Sequence, residues 1–305
     1  MFAPYDLLAI AAATCWAFGS MLSVSPARHL GAFAYNRWRM LTVAVMLWVA
    51  SLILNGEQLF VITHSAHWQS QWPAMALSGL IGIFIGDTAL FAAMNRLGPR
   101  RTGVLFATHA VWSALLGFAV FGEHMTLQAM FGATLTIAGV MTAILLGRHK
   151  EEDHSWEVDR GHVGSGIALG LAAALCQSLG NLIAKPVMAE GMDPITGSAI
   201  RVSIACGAHF LLLWCGVGVA RAHQPLTRRI LMQTAGSGFA GMAVGMTLLL
   251  LALRRGDIGM VAILSSVTPV IVLVLLWIYM RRPPARGAWL GAALTVVGTT
   301  LILSR

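Results

Sequence analysis

The sequence predicts an all-α integral membrane protein of ten transmembrane helices arranged as two inverted five-helix repeats. Three observations predict it. Hydrophobic residues make up 57% of the 305 residues and charged residues only 10%, with a mean hydropathy of +0.76, whereas a soluble domain carries about 25% charge. Apolar runs of about 20 residues, the length that crosses a bilayer, recur along the chain. Residues 78–145 also return at 237–304 without a gap, at an offset of 159, and a duplicated membrane segment is the usual trace of an internally symmetric transporter.

The apolar runs fall at 5–23, 32–54, 72–95, 101–121 and 126–147, and resume at 163–183, 195–219, 230–253, 258–280 and 286–303. The longest connectors are 55–71 and the charged linker 148–162, which separates a first repeat (1–147) from a second (163–305). Five helices per half is an odd number, so the second half enters the membrane with opposite polarity and the repeat is inverted. Each span is helical because lipid offers no partner for backbone polar groups. The first run has no basic residue before Arg28, and AAATCWAFGS (11–20) has a counterpart in AAALCQSLGN (172–181), so it reads as a mature helix and not as a signal peptide.

The net charge of +8 comes from residues set singly or in short groups at the ends of apolar runs. It reads as loop charge that orients the protein, not as a nucleic-acid footprint. The side carrying both termini has four loop basics (Lys185, Arg254, Arg255 and Arg305), and the other side has thirteen. The positive-inside rule therefore puts the termini outside a plasma (inner) membrane. Cys15, Cys176, Cys206 and Cys215 all lie in apolar runs with neither metal nor disulfide spacing, and read as packing residues. No hydrolase elbow, zinc-protease motif or phosphate loop appears. No enzyme activity and no cofactor are expected.

Within the duplication, Gly79, Gly82 and Gly86 return as Gly238, Gly241 and Gly245, and GATLTIAG (132–139) returns as GAALTVVG (291–298). With ALFAAMNRLG (89–98), FGEHMTLQAMFGATLTIAG (121–139), PITGSAIR (194–201) and SSVTP (265–269) in this order, the chain resembles an EamA-type permease of the drug/metabolite transporter superfamily over nearly its whole length. The resemblance implies a secondary transporter of a small organic solute such as an amino acid, metabolite or drug. It most often implies an exporter working by alternating access, as a monomer or homodimer. It also implies cytoplasmic termini, against the charge count, and acids at the ends of helices 4 and 9. Glu123 fills the first place, but Arg282 fills the second.

Candidate transport residues follow from polar groups inside apolar helices. Asp87 sits two thirds along the third helix, where a carboxylate costs about 2.5–3.5 kcal/mol on insertion scales. It reads as a substrate-amine or proton-coupling site, or as a structural acid paired with a neighbouring helix. Its repeat equivalent is Met246. Arg39 and Arg201 match at an offset of 162 and are expected near opposite membrane faces. Arg201 would pair with Glu123, while Arg39 would face Arg282 and the linker acids, or either would snorkel. Arg37, nearer the helix end, is the stronger snorkelling candidate.

His109 and Trp112 lie one turn apart and would form an aromatic, partly polar wall, unless His109 is structural. Thr268 and Pro269 stand at the equivalent place in helix 9, where proline frees a carbonyl and kinks the helix. Trp16, Ser20, Gln177 and Asn181, with Lys185 one turn beyond, line a cavity or bridge helices. Trp38, Trp48, Trp68 and Trp72 read as interfacial anchors. The six repeated glycines read as close helix packing that also permits sliding. The alternatives within transport are a phosphorylated-solute carrier, disfavoured by the expected separation of Arg39 from Arg201, and a lipid-headgroup flippase.

Overall fold

The computed structural model describes residues 4–64, 66–146, 163–280 and 286–303. The linker acids Glu151, Glu152, Asp153, Glu157 and Asp159 lie outside the described residues, as do Arg148, Lys150, Arg160, Arg281, Arg282, Arg305 and the side chains of Trp68 and Arg100. Every regular element among the described residues is helical. The first half holds α1 (Pro4–Leu30), α2 (Ala32–His64), α3 (Ala66–Ser78), a π-helical segment π1 (Gly79–Asp87), α4 (Thr88–Ala107), α5 (His109–Phe121) and α6 (Leu127–Leu146). The second holds α7 (Val163–Ala189), α8 (Pro194–Trp214), a short 3₁₀ turn (Gly218–Ala220), α9 (Arg228–Gly238), a second π segment π2 (Phe239–Met246), α10 (Thr247–Leu253), α11 (Ile258–Ser265), α12 (Thr268–Met280) and α13 (Arg286–Leu303).

Among the described residues, seven helical spans are long and apolar enough to cross a membrane: 5–30, 32–55, 69–97, 101–121, 163–189, 194–214 and 228–253. Shorter apolar helices run over 127–143, 258–272 and 286–302. The expected connector at 55–71 is instead helical on both sides of residue 65, because α2 continues to His64 and α3 begins at Ala66. No proline or glycine pair stops α2 after Asn55, and polar residues such as Glu and Gln are good helix formers.

The closest packing runs between the halves. α1 lies against π2 and α9, and α7 lies against π1 and α4. The contacts are glycine on glycine. A Cβ added at Gly19 would stand 3.0 Å from the Gly241 nitrogen, and one at Gly180 would stand 2.9 Å from the Gly82 Cα. Gly19 and Gly180 correspond between AAATCWAFGS and AAALCQSLGN, and Gly82 and Gly241 correspond at the 159 offset. α6 and α13 form a third such seam. A Cβ at Gly132 would stand 2.8 Å from the Gly298 oxygen, and one at Gly139 would stand 2.6 Å from Thr295 Oγ1. Close backbone approach through small residues is how helices associate where lipid removes the hydrophobic driving force.

The first glycine ladder is wound as π-helix over Gly79–Asp87, and the second from Phe239 to Met246, with Gly238 as the last residue of α9. π-helix is rare and is found mostly where a helix serves a site. Its occurrence at matching positions belongs to the repeated sequence. The fourth and ninth runs break at matching places too, at Thr108 and at Ser266–Val267. Pro269 explains the second break, since it leaves the Ser265 oxygen without its helical partner and Thr268 Oγ1 donates to that oxygen at 3.0 Å. The first break has no proline. There Thr108 Oγ1 donates to the Leu105 oxygen at 2.6 Å and His109 Nδ1 contacts the Phe106 oxygen at 2.9 Å, so side chains satisfy carbonyls that the break leaves open.

Gly180→Ala should destabilise the fold by about 1–3 kcal/mol, because the added carbon meets backbone and not a movable side chain. Gly207→Ala, where nothing lies within 4 Å of the added carbon, should be neutral or stabilising by up to about 1 kcal/mol. Thermal midpoints of the two variants in detergent check this.

Candidate functional site

The charged residues of the interior gather where the two π segments meet α2 and α8. Asp87 is the last residue of π1, and Arg39 Nη1 donates to its Oδ2 at 3.2 Å. Arg39 also lies over the Tyr35 and Phe91 rings, with its guanidinium carbon 5.9 and 5.5 Å from their centroids. Arg201 on α8 is completely buried. Its Nη1 donates to Met246 Sδ at 3.3 Å, and its charge acts on Asp87 as well. Arg39 therefore bonds the carboxylate directly, while Arg201 bonds Met246 and acts on Asp87 only through its charge. Each reaches past the glycine ladder of the other half. A Cβ on Gly241 would stand 3.1 Å from Arg39 Nη2, and one on Gly82 would stand 3.2 Å from Arg201 Nη2.

These contacts correspond pair for pair. Arg39 with Asp87 matches Arg201 with Met246, since the arginines are repeat equivalents and so are Asp87 and Met246. The remaining glycines complete the pattern. Gly79 packs on the Arg201 backbone and Gly238 on Arg39 and Val43, while Gly86 faces Cys176 and Gly245 faces Trp16. A side chain at Gly79, Gly82, Gly238 or Gly241 would meet one of the two arginines.

Glu123 does not meet Arg201. It forms an ion pair with Lys185 on α7 and accepts from the backbone nitrogens of Ile258 (2.9 Å) and Gly259 (3.4 Å) at the start of α11. Gly122, at φ +64, ends α5 in the left-handed conformation. The Glu123 nitrogen then donates to the Gly117 oxygen at 3.2 Å, which turns the side chain inward under this helix stop. Lys185 also lies 5.0 Å from the Phe121 ring centroid. The sequence pairing of Lys185 with Asn181 is replaced by this tie, because a full carboxylate outcompetes an amide for an ammonium in a dry setting.

The other candidates separate into ties and outward positions. Trp16 Nε1 donates to the Gly241 oxygen at 2.8 Å, and Thr268 Oγ1 contacts the Ala13 oxygen at 3.3 Å, so both fasten α1 to the second half. Pro269 is half-buried at the start of α12. Gln177 and Asn181 are buried and contact one another at 3.5 Å. Ser20 is exposed and bonds back to the Ala17 oxygen.

His109 is buried and stacks on Phe106 with centroids 5.0 Å apart, whereas Trp112 is 40% exposed. The His109–Trp112 wall is therefore not formed, because the break at Thr108 turns the imidazole back onto the preceding turn. Arg37 does not snorkel. It is buried and donates to the Ala220 oxygen at 2.6 Å. Trp48 donates to Ser203 Oγ at 2.9 Å, which ties α2 to α8 where an interfacial anchor was expected.

Two features escaped the sequence reading. Asn36, one turn before Arg39, is fully buried with both amide atoms unpartnered among the described residues. Tyr35, Ser23 and Ser237 close a ring of hydroxyls with contacts of 2.6–3.0 Å. The apolar-run pattern marked neither, although Asn36 was visible as an amide three residues from a candidate arginine.

Removing one partner of a buried ion pair strands the other, at a cost of about 3–5 kcal/mol. Asp87→Ala should therefore lower stability by that order, and Arg39→Met with Asp87→Ala together by less than the sum. A double-mutant cycle on thermal unfolding checks it. The same cycle should find coupling between Glu123 and Lys185 and none between Glu123 and Arg201.

Comparisons with known proteins agree with this architecture. A crystal structure of 15% sequence identity superimposes with a TM-score of 0.75, over 99% of this chain and 96% of the other. A probable terminal-alkyne amino-acid exporter of Streptantibioticus cattleyicolor is 25% identical over 243 residues, 76% of this chain and 73% of that protein. An uncharacterized transporter of Bacillus subtilis, YoaV, is 24% identical over 148 residues, and the match spans only 48% of its length and 48% of this chain. The multidrug resistance protein EbrB of Bacillus subtilis is 31% identical over 88 residues, 27% of this chain and 68% of that protein. The model of the EamA-like transporter family matches residues 3–145 and again 164–304. The chain is a multi-pass membrane protein that belongs to the EamA-like transporter family.

Proposed function

We propose that the chain is a ten-span secondary carrier built as two inverted five-helix repeats, with the boundary in the linker 148–162, and that it exports a small organic solute by alternating access. The observation that carries this reading is the charge centre. Of two repeat-equivalent buried arginines, one bonds a carboxylate and the other a thioether at the repeat-equivalent position, each beside the glycine ladder of the other half. The three shorter apolar helices bring the seven spans to ten. Matched π segments and matched breaks give each half an element whose hydrogen bonds are already irregular, and such elements rearrange at small cost. The glycine seams at Gly19–Gly241 and Gly82–Gly180 are the sliding surfaces, and Asp87 is the group whose partner changes as they move.

The solute class, an amino acid, metabolite or drug, is supported by the printed names of the exporter and multidrug relatives. Location in the plasma membrane with both termini outside follows the positive-inside count. The charges of Arg39 and Arg201 both act on Asp87, so a phosphorylated solute is tested beside the first reading.

Asp87→Asn should keep the protein folded and abolish counterflow in proteoliposomes, measured against a panel of amino acids, amines, sugar phosphates and cationic dyes. Undiminished counterflow in the variant removes Asp87 from the mechanism. Uptake confined to sugar phosphates selects the phosphate reading. Orientation is read by placing single cysteines at Ser65 and Ser155 and labelling whole cells with an impermeant thiol reagent. Labelling at Ser65 alone is expected with the linker inside, since these positions lie an odd number of spans apart.

A further inference from the structure

The acid position of the repeat is filled only once. Asp87 occupies it in the first half and Met246 in the second. Arg39 consequently has a carboxylate at 3.2 Å, while Arg201 has a thioether at 3.3 Å. A thioether is a weak acceptor and carries no charge. Arg201 is nevertheless fully buried, and its Nε and Nη2 find no hydrogen-bond partner among the described residues. Asp87 acts on it electrostatically but is already bonded to Arg39. For packing alone, a leucine or methionine at this place would be far cheaper than an uncompensated guanidinium.

The identity of the two free nitrogens specifies the missing partner. Nε and Nη2 form the side edge of the guanidinium, with two parallel N–H bonds spaced to meet the two oxygens of one carboxylate. Nη1, on the other edge, is the nitrogen that Met246 occupies. The free edge is flanked by glycine, since Gly82 has no side chain where Nη2 lies and Gly180 packs directly behind it. At this centre Arg39, Arg201 and Asp87 leave one surplus positive charge, which matches a monoanion. A phosphate monoester carries ≈ −1.5 to −2 and would exceed it.

We infer that the Nε–Nη2 edge of Arg201 is the receptor for a carboxylate group of the transported solute. This rests on the carrier reading above. The edge is sealed while π1 and α7 are closed along Gly82–Gly180, and it is reached when that seam parts. Binding of the carboxylate supplies the charge that Met246 lacks. Solute then stands to Arg201 as Asp87 stands to Arg39, and the two halves become electrostatically alike only when loaded.

The test uses the full chain purified in detergent, with thermal midpoints read against norleucine, hexanoate and pentylamine, three probes of one chain length. Norleucine and hexanoate are expected to raise the midpoint and pentylamine to leave it unchanged. A shift from norleucine but not hexanoate also supports the assignment, as a site for a zwitterion. Arg201→Lys keeps the charge but loses the fork, and should weaken binding by about tenfold or more. Met246→Asp restores the repeated acid, so it should raise the midpoint of the empty protein and abolish the carboxylate shift.

The inference is overturned if neither carboxylate shifts the natural chain, if pentylamine shifts it equally, or if Met246→Asp retains the shift. Counterflow in proteoliposomes separates the two layers. Carboxylate binding lost in Met246→Asp without any counterflow in the natural chain leaves the receptor standing and removes the carrier reading. Norleucine counterflow undiminished in Met246→Asp does the reverse.

Discussion

Backbone contact between glycines sets the rest of this structure. At Gly82–Gly180 and Gly19–Gly241 the helices approach so closely that an added Cβ would stand 2.9 and 3.0 Å from its nearest atom, inside the 3.4 Å at which ordinary contact begins. That approach leaves room for the Arg39 guanidinium beside Gly241 and the Arg201 guanidinium beside Gly82. Any side chain on the ladder would separate the halves by the thickness of a methyl group. In a membrane interior the charges could not be rescued by water, so packing and electrostatics are one constraint here. The glycines permit the pairing, and the pairing makes the glycine positions intolerant of change.

The fold is tied together by contacts that cross between halves. Helix α1 is held to the second half by the Trp16 indole and the Thr268 hydroxyl. Helix α7 is held to the end of the fourth span by the Lys185–Glu123 pair, and α6 is zipped to α13 through glycine and threonine. The largest buried apolar cluster accordingly draws on both halves of the chain. The π segments and the breaks at Thr108 and Ser266–Val267 lie along these contacts between halves. Irregular hydrogen bonding thus sits beside the charge centre and not at the helix ends, where it would serve only as fraying.

The charge centre is asymmetric although its scaffold repeats. Asp87 in the first half has Met246 as its counterpart in the second, so Arg39 meets a carboxylate at 3.2 Å and Arg201 a thioether at 3.3 Å. One arginine is paired with an internal charge and the other is not, and in a low-dielectric interior that difference is large.

Much of this was legible in the chain. Composition and run length are enough to require helices in lipid, because backbone polar groups there have no other partner. The 159-residue offset located the ladder glycines Gly82 and Gly241 of the two seams, and it exposed Asp87 as an acid without a copy. Partners were another matter. Glu123 was matched with Arg201 on the ground of a shared membrane face, yet it bonds Lys185 and the start of α11. Arg39 was assigned to linker acids, yet it bonds Asp87.

Depth in the membrane can be counted along a sequence. The rotation of each helix about its axis and the reach of a long arginine or lysine cannot, because both depend on how close the neighbouring backbones come. His109 and Trp112 show the same limit within a single helix. Their spacing placed them on one face, and the break at Thr108, enforced by side-chain bonds to open carbonyls, turned one inward and left the other exposed. The sequence by itself determined which residues are polar within lipid and which positions repeat. Only the tertiary structure decided which of them meet, since that is fixed by backbone approach and side-chain direction and not by distance along the chain.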